Sequence, residues 1–112
     1  MVHELMTNRY INAKVALTTA SATTLYTCAP GTTAIVKSIL VAALTTTPDA
    51  IEVTITSGAN VYTLFGGAVI GASTTVELLS EPLVVQATEV LTVTAVTANR
   101  LHVVASILET TQ

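Results

Sequence analysis

The sequence predicts an all-β protein, an antiparallel β-sandwich or jelly roll of about eight strands in a single domain. β-Branched residues, chiefly Thr and Val, are abundant, and they favour extended backbone over helix. Segments such as residues 51–56 alternate apolar with polar side chains, which is the period of a half-buried strand. Turn residues recur roughly every 8–12 positions, a spacing typical of sandwiches.

The first ten residues do not follow this strand pattern. Residues 1–10 contain two Met and single His, Glu, Arg and Tyr residues, and we expect them to form an N-terminal arm that becomes ordered on a partner. They lack the basic start and the apolar core of a signal peptide, so we expect no secretion step. Alternation begins at Ile11, which gives a predicted sandwich domain of residues 11–112.

The second predicted strand covers residues 23–29. Its alternation places Leu25 and Thr27 inward and Tyr26 and Cys28 on the opposite face. A Pro-Gly pair follows directly and is a strong turn signal.

The longest predicted strand covers residues 32–44. It is apolar on both faces, with Ile35, Ile39, Val41 and Ala43 on one and Ala34, Val36, Leu40 and Ala42 on the other. A helix competes, because Ala and Leu are good helix formers, but the β-branched residues and the preceding turn favour a strand. Two apolar faces predict a central strand covered on both sides. One small domain does not readily supply that cover, so we expect another subunit to provide it.

The rest of the chain predicts a hairpin and four further strands. Residues 50–57 and 61–65 pair across a Ser-Gly-Ala-Asn turn, and Gly66 and Gly67 then break or bulge the second strand. The later strands are residues 74–79, 83–85, 90–96 and 100–109. In the last of them, Leu101, Val103, Ala105 and Ile107 are expected to face inward.

Charge is scarce in this chain. Only 10% of the 112 residues are charged, against about 25% in ordinary globular proteins. Hydrophobic residues make up 51%, and the mean hydropathy is +0.70. We therefore expect part of the surface to be buried in a homo-oligomer or a larger assembly.

The same composition bears on other partners. The most apolar stretch, residues 33–44, contains Lys37 and is too short to span a membrane, so no membrane partner is expected. The net charge is −3 and the four cations do not cluster, which argues against nucleic acid as a partner.

No set of residues predicts catalysis, and we expect no enzyme, cofactor, metal or small-molecule substrate. Cys28 is the only cysteine and is expected to be a small buried hydrophobe, since a nucleophilic thiol would need a base such as His102 nearby. His102 is expected to face outward, and the chain offers too few ligands for a zinc site. Five glutamates stand at positions expected to be exposed: Glu52, Glu77, Glu81, Glu89 and Glu109.

Five residues are candidates for contact with a partner. Arg9 and Tyr10 belong to the predicted arm and Arg100 to the last turn, and plain solvent exposure is the alternative for them. Tyr26 and Tyr62 are aromatic anchors, for which packing in the core or hairpin is the alternative.

Residues 25–39, LYTCAPGTTAIVKSI, resemble a segment of small structural proteins from tailed-bacteriophage virions. In that group a Tyr-Thr-x-Pro/Ala-Gly-Thr-Thr-Ala-Ile-Val-x-Ser-Ile segment opens a short chain. A Thr/Val strand, a Tyr-containing hairpin, a Leu-x-x-Pro-Leu-Val-Leu turn and a closing Val-x-Val-x-Ala strand follow it. Here these match residues 51–56, 61–65, 79–85 and 90–95, so the resemblance covers residues 23–108.

The resemblance implies a non-enzymatic virion structural protein present in many copies. The expected type is a capsid decoration, or cement, protein, made in the host cytoplasm, that forms a homotrimer on the capsid surface and stabilises the head by binding major capsid subunits. A tail, baseplate or head–tail joining protein is the alternative. A carbohydrate- or cell-surface-binding module is a further alternative, disfavoured because aromatic residues are few.

Overall fold

Nine strands and no helix make up residues 7–111, which are the residues that the computed structural model describes. In chain order the strands are β1 (Thr7–Ala16), β2 (Thr23–Thr27), β3 (Thr32–Ala43), β4 (Asp49–Ser57), β5 (Asn60–Ile70), β6 (Thr75–Glu77), β7 (Leu83–Val85), β8 (Val90–Ala95) and β9 (Leu101–Thr111). Within these bounds, no helix is long and apolar enough to cross a membrane.

The strands form two antiparallel sheets that pack face to face. The five-stranded sheet has the order β1-β9-β3, with β6 and β7 both paired to the other side of β3. The four-stranded sheet has the order β2-β8-β4-β5. Because β6 and β7 share one position, the chain fills eight strand positions and crosses repeatedly between the layers, as in a jelly roll. The prediction of a single all-β sandwich domain is confirmed.

The core lies between the sheets and is built from small aliphatic side chains. On β9 the predicted inward residues Leu101, Val103, Ala105 and Ile107 are each at most 1% exposed. The four-stranded sheet meets them with the buried residues Ile51, Val53, Leu91 and Val93. Alternation on both sheets therefore gives a continuous apolar layer at close packing.

The first strand begins earlier than the sequence predicts. Residues 7–10, predicted to belong to the arm, pair in register with residues 108–111 of β9. Because β9 extends to Thr111, its last residues offer backbone groups that the start of β1 satisfies. The prediction of an arm at residues 1–6 lies outside the described residues and stays a prediction.

A bulge changes which residues of β3 face the core. Val36 pairs with Ile107 and Ser38 with Ser106, so Lys37 is an extra residue in β3. The alternation therefore changes phase. Ala34 and Val36 are inward before the bulge, and Ile39, Val41 and Ala43 are inward after it.

The bulge overturns the prediction of which residues share a face in this strand. Ile35 does not share a face with Ile39, because it lies on the outer face and is half-buried. The described residues leave the outer face of β3 partly uncovered, since Leu40 is 40% exposed, and its cover by another subunit stays a prediction.

A second bulge lies in β2. Thr24 pairs with Thr92 and Tyr26 with Leu91, which leaves Leu25 as the extra residue. Leu25 and Tyr26 are consequently both buried, whereas Thr27 is exposed and Cys28 is 0% exposed. The predicted assignment of Tyr26 and Cys28 to the outer face, and of Thr27 to the inner face, is wrong for this reason.

The predicted hairpin and its bulge are present. Ser57 pairs with Asn60 across the turn that joins β4 to β5. In β5, Gly66 pairs with Glu52 and Ala68 with Ile51, so Gly67 is an extra residue, with a φ of +122° that favours glycine. β5 continues beyond Gly67 to Ile70, further than the predicted end at residue 65.

A matched pair of substitutions tests the assignment of the core. Val93→Ala removes two buried methyl groups and should lower the free energy of unfolding by about 2 kcal/mol. Val69→Ala makes the same change at a side chain that is 72% exposed and should cost less than about 0.5 kcal/mol. Urea unfolding of both variants measures the difference. Equal losses would contradict the inward placement of Val93.

Candidate interaction surface

A buried carboxylate joins the two sheets at one end of the sandwich. Glu109 on β9 accepts a hydrogen bond from the Tyr26 hydroxyl on β2 and another from Arg9 Nε on β1, the latter at 2.9 Å. Tyr26 and Glu109 are 8% and 7% exposed, whereas the Arg9 side chain is 67% exposed. Both carboxylate oxygens have a donor, which is the condition for keeping a charge in the interior.

The pKa values follow from these contacts. The Tyr26 hydrogen bond, helped by Arg9 and opposed by burial, holds the pKa of Glu109 below its usual value of 4.5. Burial, and then the hydrogen bond to Glu109, raises the pKa of Tyr26 well above its usual 10.0. Glu109 is therefore ionised and Tyr26 protonated at neutral pH, and the cluster has a structural role.

Sequence reasoning missed Glu109, which it placed on the surface. The signal was available, because Leu101, Val103, Ala105 and Ile107 are inward and the same period of two reaches Glu109. A lone carboxylate at an inward position predicts a buried donor opposite it. The identity of that donor, Tyr26, depends on the bulge in β2.

Glu77 has a structural role at the interrupted edge of the five-stranded sheet. Its carboxylate accepts hydrogen bonds from the Ser38 hydroxyl, from Ile39 N–H at 2.7 Å and from Leu79 N–H at 3.2 Å. Burial alone would raise the pKa of Glu77, but these bonds outweigh it and lower the pKa. The carboxylate thus replaces strand pairing in the gap between β6 and β7.

The described residues do not assemble a catalytic or metal site. Cys28 Sγ donates to the backbone oxygen of Thr32 at 3.2 Å, and burial raises the pKa of its thiol. His102, exposed as predicted, pairs with Ala42 at the other end of β3, about 30 Å along the strand from Thr32. His102, the base considered for Cys28, is therefore out of reach. Residues 7–111 contain no group of three His, Cys, Asp or Glu that could hold a metal ion.

The five predicted contact residues do not converge. Tyr10 on β1 is 75% exposed and Tyr62 on β5 is 55% exposed, at edges of different sheets. Arg9 is bound to Glu109, while Arg100, half-buried, precedes β9 at the far end of the sandwich. Tyr26 is a buried core residue, so the prediction that it contacts a partner is not supported.

The outer side of the five-stranded sheet carries an apolar surface, here called the outer apolar face. One row crosses four strands, because Tyr10 pairs with Leu108, Leu108 with Ile35 and Ile35 with Val84. Val104 and Leu40 form a second paired row. Four of these six side chains, Tyr10, Val84, Leu40 and Val104, are between 37% and 75% exposed.

The outer side of the four-stranded sheet has a different character. Its central row consists of four threonines on four neighbouring strands: Thr24, Thr92, Thr54 and Thr63. Threonine side chains satisfy their hydroxyls in water or with each other, so this row needs no apolar cover. Among the described residues, the rows of the five-stranded sheet carry four of the nine large apolar side chains that are exposed. The other five, which include Val61 and Val69 on β5, lie outside those rows.

Comparison with known proteins establishes the fold. No protein-family model and no curated protein matches this sequence. A solved structure of disulfide-linked pili, the endospore appendages of Bacillus, is similar over 98% of this chain and 91% of its own, with 13% identity and a TM-score of 0.60. A pentameric capsid protein from metagenomic phage sequences is similar over 88% of this chain and 59% of its own, with 17% identity and a TM-score of 0.47.

The covalent linkage named for those pili is not available to these 112 residues. Every inner subunit of a disulfide-linked chain needs at least two linkages, and this sequence has one cysteine, which is buried. The buried Cys28 is therefore not placed to link copies of this chain through a disulfide.

Loss of the Tyr26 hydroxyl should destabilise the sandwich. Tyr26→Phe leaves one oxygen of the buried Glu109 carboxylate without its donor and should cost about 1–3 kcal/mol in unfolding free energy. Tyr62→Phe removes an exposed hydroxyl and should change stability by less than about 0.5 kcal/mol. Denaturant unfolding at neutral pH compares the two, and equal effects would show that the Tyr26 bond does not contribute.

Stability should fall in acid because of the same cluster. Since the pKa of Glu109 is lower in the folded than in the unfolded chain, its contribution is present above about pH 4.5 and is lost as the pH falls through the folded-state value. Glu77 adds to the loss with the same sign. Thermal unfolding between about pH 7 and pH 3 should show a smaller decline for Glu109→Gln than for the wild type. Parallel declines would rule out Glu109 as a source of the pH dependence.

Proposed function

We propose that this protein is a non-enzymatic structural subunit that works in an assembly, with the outer apolar face buried against other protein. The observation that carries the proposal is the apolar row from Tyr10 to Val84 across the five-stranded sheet, with the pair Val104 and Leu40 beside it, which no described residue covers. Lys14 and Glu77 flank that pair on the neighbouring strands. Removing such a surface from water contributes about 25 cal/mol per Å² of apolar area, which favours association. The jelly roll also builds the Bacillus pilus, so the architecture is suited to assembly subunits.

The more specific proposal is a capsid decoration protein of a tailed bacteriophage. The sequence resemblance over residues 23–108 supports it, and so does a surface poor in charge. The partner would be the major capsid protein, bound on the outside of the head, with residues 1–6 as a candidate attachment arm. An oligomer of this chain would present several outer apolar faces to the capsid at once. The sequence resemblance favours a trimer as that oligomer.

Copy number separates this proposal from its alternative. Quantitative mass spectrometry of purified virions should find hundreds of copies if the protein decorates the capsid. A dozen or fewer would instead indicate a tail, baseplate or head–tail joining component.

The outer apolar face can be tested by matched substitutions in virions. Val84→Ser lies within that face, and incorporation into particles should drop about tenfold or more, because a polar hydroxyl replaces buried methyl groups. Val69→Ser makes the same change on the four-stranded sheet, where the side chain is 72% exposed, and should leave incorporation unchanged. Normal incorporation of both variants would contradict the proposed role of the face. Circular dichroism confirms that each variant is folded.

A further inference from the structure

The sandwich has four sheet edges, and they differ in how well they are protected. The edges are β1 and β6/β7 in the five-stranded sheet, and β2 and β5 in the four-stranded sheet. An open edge presents unpaired N–H and C=O groups that can pair with a strand of another chain. Natural proteins block such edges by keeping them short or bulged, or by placing Pro or charge on them.

Three of these edges are blocked. β2 has five residues and a register shift. β6 and β7 have three residues each and are separated by the gap that Glu77 fills. β5 is long, but its pairing with β4 shifts register twice. None of them offers a long, regular row of backbone groups.

The fourth edge, β1, is neither short nor bulged. It runs for ten residues in unbroken register with β9 and contains no proline. It carries two cations, Arg9, which is paired with Glu109, and Lys14, whose Nζ donates to Asn12 Oδ1 at 2.9 Å. This strand is thus the one described edge that is ready for pairing.

The hydrogen-bond alternation shows which groups of β1 are open. Leu17 N–H, just after the strand, donates to Leu101 O at 3.0 Å in the register of β1 with β9. Hydrogen-bonded pairs alternate along antiparallel strands, so the odd-numbered residues of β1 bond to β9. The even-numbered residues Asn8, Tyr10, Asn12 and Lys14 turn both backbone groups to the open side, and no described residue bonds to them there.

We propose that β1 pairs antiparallel with β1 of a second copy of this chain, about a twofold axis at Asn12. A long regular edge is matched best by another of similar length, and β1 is the one such edge among the described residues, so we take the same strand of another copy as its partner. Centring on Asn12 keeps every paired residue from Asn8 to Ala16 within β1. It also places Tyr10 opposite Lys14 of the partner subunit, so that the two lysines do not face each other.

This contact deepens the proposed function and rests on it. A twofold axis that relates antiparallel neighbours in one sheet is perpendicular to that sheet, so both outer apolar faces point to the same side. The row through Tyr10, Leu108 and Ile35 then meets Lys14 of the partner subunit, and behind that lysine lies the second copy's row of Val104 and Leu40. The pair presents one doubled apolar surface to the assembly. The contact gives a dimer as the smallest species, in place of the trimer that the sequence resemblance favours.

Sedimentation velocity of the full chain tests the contact with a matched pair of variants. Tyr10→Lys places an ammonium group opposite Lys14 of the partner subunit, twice per dimer, and should raise the dimer dissociation constant about tenfold or more. Tyr62→Lys makes the same change on the bulged edge and should leave the constant unchanged. Asn12→Pro is the second test: its N–H is not used within the chain, so the fold should survive while pairing is lost.

The outcomes separate this inference from the proposed function. A wild-type dimer that Tyr10→Lys and Asn12→Pro dissociate, with thermal unfolding still cooperative, supports the β1 contact. A wild-type trimer, or a dimer indifferent to both variants, overturns the β1 contact and leaves self-association intact. A wild-type monomer at micromolar concentration contradicts self-association itself.

Discussion

The pairing of β9 with β1 on one side and β3 on the other is the interaction on which the rest of the structure depends. β9 supplies inward residues from Leu101 to Ile107, and its outward residues Leu108 and Val104 join the apolar rows of the neighbouring strands. β3 in turn carries both β6 and β7, so the whole five-stranded sheet is attached through β9. The next inward position, Glu109, ties this sheet to the other layer through Tyr26.

Where strand pairing is regular, the sequence predicted both the strand and the face of each side chain. Where a bulge interrupts the pairing, the predicted faces were wrong. Alternation along β9 gave the correct inward residues because no bulge interrupts its pairing with β1. In β3 the extra residue, Lys37, is defined by the register of β9, so the local pattern of β3 does not reveal it. Gly67 was foreseen because two adjacent glycines mark a bulge by themselves.

The composition predicted that apolar surface would remain exposed, but it did not predict where on the fold that surface lies. Composition showed that too much apolar surface would remain for a free monomer, and the long strand at residues 32–44 was rightly suspected of carrying part of it. The neighbours that complete the rows, Leu108 and Val84, come from distant parts of the chain. Only the sheet order brings them together, and a phase shift in β2 moved Tyr26 from the expected surface into the core.

The bulges of β5 determine how many edges of the sandwich are regular enough to pair with a strand of another copy. A sandwich with two regular edges has two strand-pairing sites, so each copy could recruit the next and growth would continue into an open fibre. With Leu64 and Gly67 out of register in β5, the described residues keep one long regular edge, β1, so the proposed contact closes at two copies. In that proposal, two residues far from β1 separate a closed pair from an open fibre.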